Sequence, residues 1–381
     1  MSKQRIYFDH AASTPMPGEV LEVMQAAMAE LYGNPSSLHE AGRRARVAIE
    51  QARRSVARCL KVTPAEVFFT SGGTEANNAI LWECYLHLGV KHFISSPLEH
   101  PSVRITLEAI AGQPGAGLHL VDVDALGRVS LDHLDELARR YPGALVSLMH
   151  ANNEIGNLLP VKAVAEICRD RGCLFHSDTV QTIGKFDMDL PRLGMDFAVG
   201  SAHKFHGPKG AGFMIVRQGR PSGPWMTGGS QERNMRAGTE NVYGIVGLAR
   251  ALDWMQDSMQ ENRLWVGRLR NQLLLLLREE LPRVGFNGDV DGSCLYGIVN
   301  LSLPASLDAV VVLVRLDMEG ISVSSGSACS SGSLEPSPVI AALGGDPSRP
   351  SLRVSLGKNN TPDEVRRFVE VLRAMVEDSP A

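Results

Sequence analysis

Ser71-Gly72-Gly73-Thr74-Glu75 lies between a strand-like run, Val67–Thr70, and a helix-like one over 76–88. Small residues there let backbone N–H groups approach an anion, and the helix N-terminus adds positive potential. Thr74 can add its hydroxyl. No Lys follows, so this is not a Walker-type loop, and a Gly turn with a Thr cap would leave the same trace. Ser201-Ala202-His203-Lys204-Phe205-His206-Gly207-Pro208-Lys209-Gly210 sets a Lys between two short strand-like runs, with Ser201 and His203 just before it. A desolvated Lys loses its charge and becomes a nucleophilic amine. A lone Lys in a Gly-rich hairpin is more often a surface residue. Leu174-Phe175-His176-Ser177-Asp178 is a strand running into a carboxylate. The C-terminal edge of an α/β sheet displays functional groups in that way, although an Asp there also serves as a turn residue.

An anion cradle, a strand-end Asp178 and a Lys204 after the next strand form a constellation. Pyridoxal phosphate needs those parts: a phosphate site, an amine for its aldehyde and a carboxylate for its pyridinium nitrogen. Two loops at the same predicted sheet edge add candidates. Glu99-His100-Pro101-Ser102 offers a general acid or base in His100, which can titrate near working pH. His150-Ala151-Asn152-Asn153-Glu154 offers Asn153 as a donor to a cofactor oxygen or a carboxylate, or simply as a turn former. The tract 322–336 is the most distinctive. It places Cys329 among Ser and Gly, where structural cysteines are normally in apolar surroundings. An accessible thiol in such a tract can meet one partner and then another; an incidental Cys in a linker is the plainer reading.

The elements that must position these residues follow an α/β rhythm. Strand-like runs at Val67–Thr70, His92–Ser95, 118–121, 145–149, 174–176, 197–199 and Gly212–Val216 alternate with helical patterns at 76–88, 131–141 and Val161–Arg171. That alternation predicts a mainly parallel sheet. No helix fits between 199 and 212, so an antiparallel strand is expected there. A long helical stretch over 243–281 carries an expected break at 261–262. A second α/β unit follows, with strands at 298–303 and 352–356 and a Ser-started helix at 306–318. Its final helix is opened by the capping box Thr361-Pro362-Asp363-Glu364. The expected division is a large domain over 15–260 and a smaller one built from 1–14 and 261–381.

Composition excludes several classes. In 381 residues, 44% are hydrophobic and 21% charged, which is ordinary for a folded soluble chain. The net charge of −4 gives no basic surplus for direct nucleic-acid binding. Six cysteines (Cys59, Cys84, Cys168, Cys173, Cys294 and Cys329) are too sparse for a disulfide scaffold, and no C-x-x-C signals a metal or redox pair. No apolar run approaches a membrane span and the first residues lack a secretory pattern, so a reducing cytoplasm is expected.

In this order the motifs resemble the cysteine desulfurases, the NifS/IscS-like branch of the class-V aminotransferases with a long catalytic-Cys loop. The resemblance runs from Tyr7-Phe8-Asp9-His10-Ala11-Ala12-Ser13-Thr14 to Leu352-Arg353-Val354-Ser355-Leu356-Gly357. It includes Gly33-Asn34-Pro35-Ser36-Ser37, 70–75, 150–156, Met235-Arg236-Ala237-Gly238-Thr239 and, most specifically, 324–329. It implies a fold-type I architecture, with a seven-stranded, mainly parallel sheet and a smaller C-terminal α/β domain. It also implies pyridoxal 5'-phosphate held by Lys204. Asp178 would pair with the ring nitrogen, Gln181 with the phenolic oxygen, and His100 would stack on the ring. Gly73, Thr74, Ser201 and His203 would bind the phosphate, and Thr239 would reach the phosphate of a second subunit in a homodimer. Asn153 and Arg353 would hold the substrate carboxylate.

The implied reaction takes L-cysteine to L-alanine. Lys204 acts as base at Cα, and Cys329 attacks the substrate sulfur with His100 as acid/base. Cys329 then keeps the sulfur as a persulfide for an acceptor protein of iron–sulfur cluster assembly or of tRNA or DNA sulfur modification. A selenocysteine lyase or another lyase or aminotransferase of the same fold would need Lys204 and Asp178 but not Cys329. A sulfur-relay component acting only by binding would need neither.

Overall fold

The computed structural model describes residues 5–219, 223–326 and 337–378. Twelve strands are present among them: β1 (Ile6–Tyr7), β2 (Val67–Thr70), β3 (His92–Ser95), β4 (Gly117–Leu120), β5 (Leu145–Ser147), β6 (Leu174–Asp178), β7 (Phe197–Ser201), β8 (Gly212–Val216), β9 (Gly285–Asn287), β10 (Ile298–Ser302), β11 (Ile321–Ser322) and β12 (Ser351–Ser355). The helices are α1 (Gly18–Glu30), α2 (Glu40–Leu60), α3 (Gly73–Leu86), α4 (Pro101–Ala111), α5 (Leu131–Arg140), α6 (Val161–Arg171), α7 (Leu190–Leu193), α8 (Val242–Asp257), α9 (Met259–Glu280), α10 (Ala309–Met318), α11 (Pro338–Ala342) and α12 (Pro362–Glu377).

Seven strands form one sheet in the order β2-β8-β7-β6-β5-β3-β4. Strands β3 to β7 pair in parallel, while β8 runs antiparallel to both of its neighbours. The expected mainly parallel sheet with one reversed strand is therefore present. Strands β2, β5, β7 and β8 are mainly apolar and buried throughout because both faces are covered, whereas the edge strand β4 is only partly buried. Neighbouring residues split between the two sides: Phe69, Ile94, Val146, Ala198 and Ile215 pack with α2, α5, α6 and α8, whereas Phe68, Phe93, Leu145, Phe197 and Met214 pack with α3 and α4. That is the period-2 alternation of a strand.

A second core gathers Leu273 and Leu277 of α9, Val299 and Leu301 of β10, Leu352 and Val354 of β12, and Phe368 and Leu372 of α12. Ile6 and Phe8 from the chain start belong to it, and β1 pairs with β11. The capping box of α12 is formed: Glu364 N–H donates to Thr361 Oγ1 and Thr361 N–H to Glu364 Oε2.

Several predicted boundaries move, and the helix expected over 76–88 spans Gly73–Leu86. The break in the long helical stretch falls at Ser258 rather than 261–262, because Ser258 Oγ donates to the carbonyl of Trp254 and accepts from Asn262 Nδ2. The helix expected from 306 starts at Ala309. The Asp308 carboxylate, not a Ser, accepts the free N–H groups of Val310 and Val311.

Residues 232–234 are all left-handed, with φ of 41°, 58° and 66° at Glu232, Arg233 and Asn234. Such backbone persists only where its surroundings over-determine it. Here Arg53 on α2 makes two parallel hydrogen bonds to Glu232, at 2.9 and 2.7 Å, with both side chains buried. Glu232 Oε2 also accepts from Phe69 N–H of β2. The fork fixes the segment that leads to Arg236 and Thr239.

Candidate active site

Strands β2, β3, β5, β6 and β7 all end at one edge of the sheet, and a cavity of about 490 Å³ opens there. Gly73, Thr74, His100, Asn153, Asp178, Gln181, Ser201, His203, Lys204 and Arg353 line it together. Thr239 lines a separate hollow on the far side of Ser71 and Gly210. Cys329 lies outside the described residues.

One end of the cavity is built for an anion. The N-terminus of α3 brings Gly73 and Thr74, and the end of β7 brings Ser201 and His203. Glu75 fastens this loop from behind. It accepts from Ser71 N–H, Trp225 Nε1 and Arg236 Nε at 2.8, 3.1 and 3.0 Å. Burial alone would raise its carboxyl, but these donors outweigh burial and hold it at about 2. The loop rests on Gly212, the first residue of β8, which is registered between Thr70 and Ser201. A Cβ on Gly212 would come within 2.5 Å of Gly72 Cα and 2.7 Å of Gly200 O, both backbone atoms that cannot swing aside. Gly212→Ala is therefore expected to displace the cradle and weaken cofactor binding at least tenfold, measured by fluorescence titration with pyridoxal phosphate. Unaltered affinity would refute this account of the cradle.

The middle of the cavity carries the amine and the carboxylate. Lys204 Nζ donates to the carbonyls of Ala11 and Ala12, at 2.7 and 2.8 Å. The tract 11–14 therefore lies across the site, and Thr14 ties it to the Lys204 turn through the carbonyl of His203. Asp178 is buried at the end of β6, with Val180 N–H on Oδ1 and Asn77 Nδ2 on Oδ2. Gln181 donates to Ala11 O and accepts from Lys185 Nζ at 3.2 Å. Burial, with Lys204 and Arg353 nearby, lowers the Lys185 ammonium to about 7. His100 caps α4, its Nδ1 accepting from Ser102 N–H at 3.1 Å. Burial depresses its pKa, Asp178 opposes that, and Lys204 adds to it.

At the other end Arg353 is only 1% exposed. Its two terminal nitrogens donate to Asn153 O, at 2.9 Å, and Asp9 Oδ1, at 2.8 Å. Its Nε has no hydrogen-bond partner among the described residues. The backbones of Ser324 and Arg353 pair with each other, so the stem of the tract that holds Cys329 meets this arginine directly.

These residues fit pyridoxal phosphate. Gly73, Thr74, Ser201 and His203 line one end of the cavity as phosphate donors would, the amine of Lys204 lines the same cavity, and the carboxylate of Asp178 supplies the acceptor a protonated ring nitrogen requires. Residues to which the motifs gave no role also contribute. Asn77, Ser102, Glu75 and Lys209 line the same space, and Asp9 holds Arg353. Asn77 follows the Gly73-Thr74 motif by about one helical turn, and that spacing was the available signal.

The model of the aminotransferase class-V family matches residues 6–368. The chain belongs to the class-V aminotransferase family. Within that family its relatives are cysteine desulfurases. It is 38% identical over 379 residues to the cysteine desulfurase IscS of Dictyoglomus turgidum, covering 98% of this chain and 95% of that one. Among solved structures it is similar to a NifS-like protein, at 36% identity with a TM-score of 0.90, over 98% of this chain and all of that one. It is also similar to SspA in complex with cysteine, at 29% identity with a TM-score of 0.79, over 93% of this chain and all of that one. This desulfurase branch of the class-V aminotransferases is pyridoxal-phosphate-dependent and fold-type I, and both statements apply to the chain.

Proposed function

We propose that this chain is a desulfurase that converts L-cysteine to L-alanine and carries the released sulfur on Cys329. The convergence of Lys204, Asp178, His100 and Arg353 on one cavity supports this reading most directly. Bound pyridoxal phosphate supplies an aldehyde for the substrate amine and a ring that withdraws electrons and so acidifies Cα. Arg353 binds the substrate carboxylate as a fork, with Asn153 beside it. Asp178 would pair with the ring nitrogen, and Gln181 would hydrogen-bond the phenolic oxygen. Lys204 would hold the cofactor through its aldehyde and take the proton from Cα of the substrate. The Cys329 thiolate attacks the substrate sulfur; a new S–S bond forms and the C–S bond breaks. His100 moves the accompanying proton, and protonation at Cβ completes alanine.

The finer assignments rest on the same reading. Thr239, outside the cavity of its own subunit, reaches the phosphate of a second copy in a homodimer. The exposed Leu21, Met28 and Val47 on α1 and α2 are consistent with a partner face. Residues 15–260 form the cofactor domain, while 1–14 and 261–381 form the smaller domain, as the separate second core suggests. The sulfur goes to an acceptor protein of iron–sulfur cluster assembly or of tRNA or DNA sulfur modification. Among the described residues no helix is long and apolar enough to cross a membrane. The working compartment is the cytoplasm.

The test is stoichiometric. Purified holoprotein given L-cysteine without a reductant should release one alanine for each sulfur found, by mass spectrometry, on the peptide bearing Cys329. Failure to form alanine would defeat the reading.

A further inference from the structure

Between Asp178 and His100 stand two polar side chains to which the reaction above gives no part. Asn77 on α3 and Ser102 on α4 are 1% and 8% exposed. Asn77 Nδ2 lies 2.8 Å from Asp178 Oδ2 and 2.9 Å from Ser102 Oγ. A carboxylate can only accept, so the Asn77 amide must turn its nitrogen towards Asp178 and spend its second N–H on Ser102 Oγ. With that oxygen already accepting, the Ser102 hydroxyl proton is directed away from Asn77. His100 Nδ1 is 2.8 Å from Ser102 Oγ, and the Ser102 backbone N–H reaches the same nitrogen at 3.1 Å. Two donors on Nδ1 place the proton of a neutral imidazole on Nε2.

We propose that Asn77 and Ser102 are positioning residues for His100. They hold Nδ1 as an acceptor and the ring proton on Nε2, and they tie this arrangement to Asp178. The direction of the chain has a chemical consequence, which rests on the desulfurase reading above. A ring with Nε2–H presents a donor rather than a lone pair at its other nitrogen. Neutral His100 therefore meets the substrate as a hydrogen-bond donor at Nε2, and it gives up that proton as an acid only from the ring that is protonated at both nitrogens. The same donors stabilise the neutral ring, so their loss should make His100 more basic.

The charged groups facing His100 are Asp178 at the end of β6 and Lys204 after β7. Glu99, its chain neighbour, turns one carboxyl oxygen to Met149 N–H instead. Neither Asp178 nor Lys204 is altered by Ser102→Ala.

The test is the nitrogen NMR of histidine-labelled holoenzyme across pH. The native protein should show the proton of neutral His100 on Nε2. Ser102→Ala should raise the His100 midpoint by about half to one pH unit, the worth of one ordinary hydrogen bond. The pH profile of kcat should move the same way, with the cofactor absorbance unchanged. Asn77→Ala should raise the midpoint less, and the double variant should match Ser102→Ala alone, since the two act through one chain. If Asn77→Ala does not fold, Ser102→Ala decides by itself. A native ring protonated on Nδ1, or a Ser102→Ala protein that titrates like the native one, overturns the proposal. Failure of the native protein to form alanine from cysteine would instead sink the desulfurase reading, while the titration would still judge Asn77 and Ser102.

Discussion

Lys204→Ala is expected to fold normally and to lose cysteine turnover by at least about 10²–10⁴-fold, the contribution of proton transfer by a placed base. Folding should survive because two backbone carbonyls accept from the amine, and a carbonyl left behind can be solvated in the open cavity. Ala11 O keeps its bond from Gln181 when the amine is removed. A buried ion pair, such as Arg53 with Glu232, would behave otherwise, since breaking one strands a charge at a cost of about 3–5 kcal/mol. The cofactor would lose its covalent attachment as well, so its absorbance should change and dialysis should strip it faster. Lys204→Arg separates charge from chemistry. It keeps a cation in the cavity but offers no nucleophilic amine, and it should be as inactive as Lys204→Ala. Partial return of turnover to the alanine variant with a small added amine would identify the amine as the missing group. Native turnover in either variant would remove Lys204 from the reaction.

The sheet was legible because both of its faces are buried. Phe68 and Phe69, or Leu145 and Val146, are apolar neighbours that pack on opposite sides, and such runs stand out in a sequence. Helices α1 and α2 were not read. In α1 only Val20 and Ala27 are buried, too few to mark a face, whereas α2 buries Ala45, Ile49, Ala52, Val56 and Leu60 at helical spacing, a periodicity the sequence does carry. Gly73, Thr74, His100, Asp178 and Ser201 were legible because each sits at a strand end or helix start; Arg353, in the middle of β12, came only from the resemblance. The residues behind them were not. Asn77 and Ser102 have the types found in ordinary caps and turns, and only the approach of α3 to α4 shows them sharing a hydrogen bond. The Arg53–Glu232 fork joins positions 179 apart in the chain. No local spacing encodes it, yet it holds the left-handed segment before Thr239 in place.

Cys329→Ser is expected to leave cofactor absorbance intact and to abolish sulfur transfer. A serine hydroxyl matches the thiol in shape but offers no anion near neutral pH, and the attack on sulfur requires the thiolate. The other five cysteines give no substitute. Cys84, Cys168 and Cys173 are buried. Burial pushes the thiols of Cys168, Cys173 and Cys294 upwards, and burial beside Asp253 raises Cys59 to about 12. Burial thus holds four thiols protonated, and none of the five lines the cavity, while the stem residue Ser324 pairs with Arg353, which does line it. A low dose of iodoacetamide should accordingly mark Cys329 before any other cysteine and stop alanine formation as it does so. If Cys329→Ser still delivered sulfur to an acceptor, attack would have to come from a thiol that burial disfavours or from the acceptor itself. Mass spectrometry of the variant after cysteine treatment distinguishes these cases, because only the first leaves a persulfide on the chain.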